Sequence, residues 1–198
     1  MTRSAKHAQR RDDLVAALRR VARERGMAQA NVRAVAAEAE VSAGSVLYYF
    51  DSFEQLQFAA VEGVLEEFYE RRRAIAEREP DAAARLRALI EAGVPDVISD
   101  ELRLVYESIG LLREKPQYKP LHRSIVERQV MLYRSTIEVG TALGAFRPRQ
   151  EQATIARNLV ALEDAYDLYP LIGVELDRAA CRRAVVEYAE LALDCGLG

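Results

Sequence analysis

Apolar residues in this chain recur every three to four positions, the spacing that places side chains on one face of an α-helix. Residues 32–39 show the pattern on a small scale, because Val32, Val35, Ala36 and Ala39 fall on one face. No stretch alternates apolar and polar residues over the length of a strand. The pattern therefore predicts an all-α protein.

Capping residues and helix breakers divide the pattern into nine predicted helices. The first carries Leu14, Leu18 and Val21 and ends at Gly26, since glycine favours a helix C-terminus. Two short helices follow within residues 31–51. The fourth helix is predicted to begin at a capping box of Ser52 and Gln55. The other five are predicted to run from Asp81 to Pro95, from Ser99 to Arg113, from Leu121 to Leu143 before Gly144, from Gln150 to Tyr169 before Pro170, and from Asp177 to Gly196.

The two short helices are joined by a tight turn. Ser42 is placed to cap the second helix, in which Val46 and Phe50 lie one turn apart. Only Glu40 and Val41 separate the pair, which is typical of a helix-turn-helix. Because this motif lays its second helix in the major groove, the segment predicts DNA binding.

Residues 35–56, VAAEAEVSAGSVLYYFDSFEQL, resemble the DNA-binding domain of the tetracycline-repressor (TetR) family of bacterial transcription regulators. The resemblance is specific over about residues 12–64. Beyond them it rests on the helical pattern and on a weaker similarity of residues 110–118 and 140–148 to the regulatory domains of choline-responsive members. It implies a nine-helix architecture, with a basic arm and helix-turn-helix domain over residues 1–52 and a ligand-binding and dimerisation domain over residues 53–198.

Two positions depart from the family pattern. Glu40 stands where the turn usually has glycine, so we expect this residue in the left-handed region, at a cost of roughly 1 kcal/mol. Phe53 stands where a lysine is frequent, which removes one expected phosphate contact.

The predicted recognition helix contains neither arginine nor lysine, so the commonest contact to guanine is absent from it. We expect Ser45 and Tyr48 to contact base edges and Leu47 to contact thymine methyl groups. Tyr49 resembles the family's phosphate-contacting tyrosine, and a core aromatic is the alternative. The predicted DNA-binding residues are Asn31 (as the cap of the preceding helix), Arg33, Ser42, Ala43, Gly44, Ser45, Leu47, Tyr48 and Tyr49.

Charge is unevenly distributed along the chain. Residues 1–53 hold nine Lys and Arg against six Asp and Glu, a balance of +3, whereas the remainder has a balance of −6. A basic end suits a protein that presents that end to phosphate. Arg3, Lys6, Arg10 and Arg11 predict a disordered basic arm, which either contacts DNA or is an ordinary solvated terminus.

The last predicted helix is apolar on two faces, which suits a helix shared between its own core and a partner subunit. Since a symmetric operator requires two recognition helices, we predict a homodimer in which this helix and the one at residues 150–169 form a four-helix bundle with their symmetry mates. One face consists of Cys181, Ala184, Val185, Tyr188, Ala192 and Cys195, and the other of Val186, Ala189 and Leu193.

The resemblance also implies a small-molecule pocket among the middle helices. Glu163, Asp164 and Asp167 lie close in sequence to Tyr166 and Tyr169, a composition that suits an organic cation or, alternatively, a solvated acidic helix face. The candidate effector contacts are Phe68, Tyr106, Ile109, Val130, Tyr133, Ile137, Leu159, Glu163 and Tyr166, each with plain core as the alternative.

The sequence contains no phosphate loop, paired-cysteine metal spacing or nucleophile motif, so we predict no enzyme, cofactor or metal site. Cys181 and Cys195 are expected on one helix about 21 Å apart, too far to pair. The chain has neither an apolar run of about 20 residues nor the apolar centre of a signal peptide, which predicts a cytoplasmic protein without a membrane partner.

The predicted function is that of a transcription regulator, expected to be a repressor. It binds a palindromic double-stranded DNA operator as a homodimer and is released by a small-molecule effector. The alternative is a helical DNA-binding protein that is controlled by a protein partner or has no small-molecule pocket.

Overall fold

The computed structural model describes residues 3–110 and 112–197, except for the side chain of Arg3. The described residues form nine α-helices and one 3-10 turn, with no strand, which confirms the all-α, nine-helix prediction. The helices are α1 (Arg3–Arg25), α2 (Val32–Glu38), α3 (Ala43–Tyr49), α4 (Phe53–Arg78), α5 (Ala82–Gly93), α6 (Asp100–Ile109), α7 (Tyr118–Ala142), α8 (Gln152–Leu171) and α9 (Arg178–Leu193), with the 3-10 turn at Met27–Gln29.

The chain divides into two compact units. The first comprises residues up to 66 together with 99–121, and the second comprises residues 67–98 and those from 122 onward. Helix α6 belongs to the first unit because it packs on α1, and the functional domain boundary expected after residue 52 stays a prediction.

In the first unit, α1 packs against both helices of the helix-turn-helix. Leu14 and Leu18 of α1, Val35 of α2, Val46 of α3 and Leu56 of α4 are all fully buried. This shared core sets how α2 and α3 cross, and it leaves the opposite side of α3 open to solvent.

In the second unit, α5, α8 and α9 pack together over an apolar core to which α7 also contributes. Gly140 of α7 lets the ring of Phe146 pack directly on the helix backbone, because a Cβ there would lie under 3.0 Å from two ring carbons. The fully buried core side chains of this unit are Leu86, Leu89, Ile90, Val94, Tyr133, Ile137, Ile155, Leu159, Val185, Ala189 and Leu193.

Three predicted helix ends were wrong. Helix α6 stops at Ile109 rather than Arg113, and α9 stops at Leu193, where Asp194 takes a left-handed conformation with φ of 47°. Pro170 lies inside the last turn of α8 instead of after it. The missing proline amide leaves the carbonyl of Tyr166 without its helical donor, and Arg178 Nη1 donates to that carbonyl at 2.6 Å.

Candidate DNA-binding surface and effector site

The first helix of the pair begins at an asparagine cap, as predicted. Asn31 Oδ1 accepts hydrogen bonds from the amides of Arg33, at 3.1 Å, and Ala34, at 3.0 Å. Arg33 is exposed beside this cap. The first turn of α2 therefore presents a cation and a fixed helix start to solvent.

The turn is closed by backbone hydrogen bonds around Glu40. Glu40 has φ of 54°, which confirms the expected left-handed conformation. The amide of Val41 donates to the carbonyl of Ala36 at 2.9 Å, a closure typical of a helix C-terminus with a left-handed residue. Glu40 therefore adopts the left-handed conformation for which glycine is better suited.

The recognition helix α3 is capped by Ser42, whose Oγ accepts from the amide of Ser45 at 3.0 Å and lies 2.9 Å from the Ser45 hydroxyl. Val46 points into the core, whereas Leu47 is 48% and Tyr48 is 70% exposed. Ser42 and Gly44 are also exposed, and Ala43 is half-buried like Ser45. Since α3 offers small polar groups and one large aromatic, its outer face has the composition expected for reading bases without arginine.

From Arg3 onward the N-terminal residues are helical rather than disordered, which corrects the predicted arm over the described residues. Its side chains lie against the end of α3: the His7 ring is 4.9 Å from the Tyr49 ring, and Arg11 Nη1 donates to the carbonyl of Tyr49. The Arg11 guanidinium also lies 4.0 Å from the centre of the Phe50 ring. Arg11 therefore holds the end of the recognition helix, and the side chain of Arg3 lies outside the described residues.

Tyr49 is half-buried, with its ring 5.1 Å from that of Tyr48 in an edge-on contact. This position is intermediate between a core aromatic and an exposed phosphate ligand. Its contact to phosphate stays a prediction.

The predicted effector contacts do not all lie in one unit. Tyr106 and Ile109 belong to the first unit, and Ile109 is 43% exposed. In the second unit, Tyr133, Ile137, Leu159 and Glu163 are buried, and Phe68, Val130 and Tyr166 are half-buried.

Glu163 is paired with an arginine that sequence reasoning missed. Arg72 Nη1 donates to Glu163 Oε2 at 2.8 Å, and Arg72 Nη2 donates to Glu163 Oε1 at 3.0 Å. Nη2 also reaches the carbonyl of Leu89 at 3.1 Å and the hydroxyl of Tyr133 at 2.9 Å, and that hydroxyl in turn donates to Glu163. The available signal was the position of Arg72 four residues after Phe68, on the apolar stripe of α4.

A glycine allows the carboxylate to reach this place. A Cβ at Gly93 of α5 would lie under 3.0 Å from all three carboxyl atoms of Glu163. The ion pair is therefore sealed against helix backbone, with Arg72 2% and Glu163 4% exposed.

Burial and charge act in opposite directions on this cluster. Burial lowers the pKa of Arg72, but the adjacent Glu163 raises it further, so the guanidinium remains charged. Burial raises the pKa of Glu163, and Arg72 opposes that rise. Burial and Glu163 together raise the pKa of Tyr133 well above its usual value, so the phenol stays protonated and donates.

The alternative of a solvated acidic helix face holds for only one of the three acids. Glu163 and Asp167 are buried, and only Asp164 is exposed. Asp167 accepts from Arg178 Nη2 at 2.5 Å, and burial raises the pKa of Asp167 to about 6. Each buried acid is therefore already matched by an arginine of this chain.

Helix α9 divides its side chains differently from the prediction. Its core residues come from both predicted faces: Cys181, Val185, Ala189, Ala192 and Leu193 are buried. The half-exposed residues are Ala184, Val186, Tyr188 and Cys195, and Leu191 is 75% exposed. Cys181 and Cys195 are free thiols, as predicted.

Among the described residues, no helix has both the length and the hydrophobicity needed to span a bilayer.

The capped, solvent-exposed helix α3 and the turn before it have the geometry of a DNA-binding helix-turn-helix. Residues 14–60 match the family of bacterial regulatory proteins called the tetR family. The nicotine-responsive transcriptional repressor HdnoR of Paenarthrobacter nicotinovorans is 27% identical over 152 residues, which cover 76% of this chain and 75% of that protein.

Solved structures show the same fold along nearly the whole chain. A TetR transcription regulator from Haloarcula marismortui aligns with a TM-score of 0.86 and 22% identity, covering 94% of this chain and 99% of that one. A transcriptional regulator from Saccharomonospora viridis in complex with choline aligns with a TM-score of 0.84 and 22% identity, covering 94% and 98%. Residues 14–60 therefore carry a TetR-family DNA-binding domain, and the chain shares the fold of TetR regulators along nearly its whole length.

Proposed function

We propose that the protein is a ligand-responsive repressor that binds a palindromic operator as a homodimer and is released by an organic cation. The observation that carries the DNA-binding part is the Ser42-capped helix α3, which is fixed to the core by Val46 and presents Leu47 and Tyr48 to solvent. The proposal contains no catalytic step.

The proposed DNA contacts follow from exposure. Tyr48, Leu47 and Ser45 read base edges, while Arg33 and the Tyr49 hydroxyl bind phosphate. Exposed Lys6 and Arg10, on the first turns of α1, add cationic charge to the same unit.

Dimer formation is supported by apolar residues that this chain leaves uncovered at the ends of α8 and α9. Leu168 is 40%, Ile172 is 63% and Leu191 is 75% exposed. Leu168 and Ile172 lie at one end of this packed pair of helices and Leu191 lies at the other, since the residues before α8 bond to the end of α9. A partner subunit would therefore cover the length of the pair. The two-fold arrangement would present one recognition helix to each half of the operator.

Control by a small molecule, rather than by a protein partner alone, is supported by the relatives, one of which is nicotine-responsive by name and another of which binds choline. Nicotine carries a basic amine and choline a quaternary ammonium group, so both are organic cations when the amine is protonated. In this chain the matching chemistry lies in the second unit, where the Glu163 carboxylate is buried with Tyr133 and near Phe68. We propose the effector contacts among these residues, Val130, Ile137, Leu159 and Tyr166.

Effector and operator are proposed to oppose each other through α4. This helix begins directly after the helix-turn-helix and carries Phe68 and Arg72 near its other end. Coupling is reciprocal, so the effector lowers the affinity for DNA by the same factor by which DNA lowers the affinity for the effector. The corresponding coupling free energy is typically about 1–3 kcal/mol.

The test is operator capture from genomic fragments, followed by fluorescence anisotropy with the captured duplex and a scrambled duplex of equal composition. We expect dimer binding to the captured duplex, with an affinity that falls steeply with salt. Equal affinity for both duplexes at moderate salt would contradict the proposal. Release is then titrated with cationic and with neutral or anionic compounds, and release by the latter alone would contradict the cationic effector.

A further inference from the structure

The Arg72 side chain lies in a set of groups that together form a recognition site for a planar cation. The guanidinium carbon lies 5.2 Å from the centre of the Tyr133 ring and 5.6 Å from that of Phe68, both within reach of a cation–π interaction. The Glu163 carboxylate and the Leu89 carbonyl accept hydrogen bonds from its edge. We call Phe68, Leu89, Tyr133 and Glu163 the cation cage.

Arg72 pairs with every acceptor of the cage, but the cage does not satisfy every donor of Arg72. Arg72 Nη2 is shared among three acceptors, while the buried Arg72 Nε has no hydrogen-bond partner. A buried donor without an acceptor is destabilising by roughly 1–3 kcal/mol, so it is rare in structural ion pairs. The stem that attaches Arg72 to α4 therefore restricts the orientation of the guanidinium in the cage.

Charge decides what can replace Arg72. The Glu163 carboxylate is 4% exposed, and removing its partner would leave a buried charge uncompensated. A neutral or anionic molecule cannot displace Arg72, because it would leave the Glu163 carboxylate unpaired. A cation can displace it, because the cation neutralises that carboxylate. The cage also presents four acceptor oxygens, two from Glu163 and one each from Leu89 and Tyr133, so a cation with several N–H donors matches it best.

We propose that Arg72 is a tethered internal occupant of the effector site, and that the effector is a guanidinium or protonated amine that takes its place in the cation cage. This inference rests on the proposed function and sharpens it. It favours N–H-bearing cations over quaternary ammonium ions such as choline, which carry no N–H donor.

Displacement has a direct consequence for α4. Arg72 ties this helix to α8 through Glu163 and to α5 through Leu89. An effector that occupies the cage makes both contacts itself and releases Arg72. The part of α4 in the second unit then loses its bonds to α8 and α5. An allosteric ligand requires such a difference in contacts between the bound and the free state.

The experiment uses thermal unfolding of the full-length protein with Arg72→Ala, in the presence of methylguanidinium, methylammonium or tetramethylammonium chloride at matched ionic strength. We expect Arg72→Ala to lower Tm and methylguanidinium to restore it saturably, by roughly 3–6 °C at ten times its Kd. Methylammonium should restore part of the loss and tetramethylammonium none. Arg128→Ala, which removes an arginine stacked on the surface Tyr69 ring, should show no cation-specific recovery.

The double variant Arg72→Ala/Glu163→Gln separates the cage from general salt effects. It should lose the recovery and melt higher than Arg72→Ala alone, because no uncompensated carboxylate remains. Recovery that is absent from Arg72→Ala, or equal in the double variant, overturns the proposal. If Arg72→Ala is insoluble, the yield of folded protein after dilution from urea is measured instead. A higher yield with methylguanidinium but not with tetramethylammonium supports the cage, and no higher yield with either overturns it.

The wild-type protein distinguishes this inference from the proposed function. Operator release by N–H-bearing cations supports both. If other ligands release the operator and no cation restores the Tm of Arg72→Ala, the proposed function stands and the cation cage is refuted. Recovery of Arg72→Ala in a protein that binds no operator specifically would leave the cage and remove the regulator.

Discussion

The glycine at position 93 should be as necessary to the second unit as the ion pair that it accommodates. In Gly93→Ala the new Cβ would fall under 3.0 Å from every carboxyl atom of Glu163, in a place where real Cβ atoms are essentially never found. The carboxylate must then move, and its bonds to Arg72 and Tyr133 are lost or distorted.

The expected magnitude combines two opposing effects. Breaking a buried ion pair from one side typically destabilises a protein by about 3–5 kcal/mol, because a buried charge is left unpaired. Alanine is favoured over glycine within a helix by roughly 0.5–1 kcal/mol. The net loss is therefore about 2–4 kcal/mol, which for a chain of this length corresponds to a fall in Tm of roughly 4–16 °C.

The assay is thermal and urea unfolding followed by circular dichroism at fixed protein concentration, since dimerisation makes stability concentration-dependent. Gly44→Ala is the matched control, because its Cβ would meet only the Ser42 hydroxyl oxygen, at 3.8 Å. Gly93→Ala and Arg72→Met should be less than additive when combined, since both break the same pair. Equal stability of Gly93→Ala and Gly44→Ala would refute the reasoning.

Four further outcomes are expected. Tyr49→Phe should weaken binding to all duplexes alike, whereas Tyr48→Ala should change sequence preference, as measured by anisotropy with base-substituted operators. Arg11→Ala should destabilise the first unit by roughly 1–3 kcal/mol in urea unfolding, because a charged hydrogen bond to the end of α3 is lost. Deleting residues 1–10 should lower the salt slope of DNA binding by about 0.9 for each lost phosphate contact. Burial raises the pKa of Asp167 from 3.8 to about 6, so the free energy of unfolding should fall as pH rises from about 4 to about 6, and Asp167→Asn should remove that part of the slope.

Each of these has a contrary result. If Tyr49→Phe unfolds the first unit without a change in affinity, Tyr49 is a core residue. A loss in Arg10→Ala as large as that in Arg11→Ala would contradict the specific contact, because the ion pair of Arg10 with Asp13, at 3.7 Å, is exposed to solvent. An unchanged salt slope would make the first ten residues a solvated helix end, and an unchanged pH slope in Asp167→Asn would assign the titration elsewhere.

The sequence by itself determined the helices and the DNA-binding motif. The caps at Asn31, Ser42, Asp81, Ser99 and Asp177 were all readable, because each side chain bonds an amide two or three residues further along. The capping box at Ser52 was right in one half only: Ser52 accepts from Gln55, but Gln55 accepts from the amide of Asp51. Local geometry fixes such bonds, and local geometry is what sequence spacing encodes.

Tertiary structure decided which charges are buried. The apolar stripe of α4 indicates that Arg72 is the buried member of the run Arg71–Arg73. It does not name the partners, Glu163 at 91 positions further along the chain and Tyr133 at 61. The same holds for the N-terminal turns, where Arg11 finds its acceptor 38 residues later, at Tyr49. A charged side chain is stable in a protein interior only where it has a partner of opposite charge and enough space. Here the space for the Glu163 carboxylate comes from the missing side chain of Gly93 on a third helix. That coincidence is a property of how the helices pack and not of any one helix.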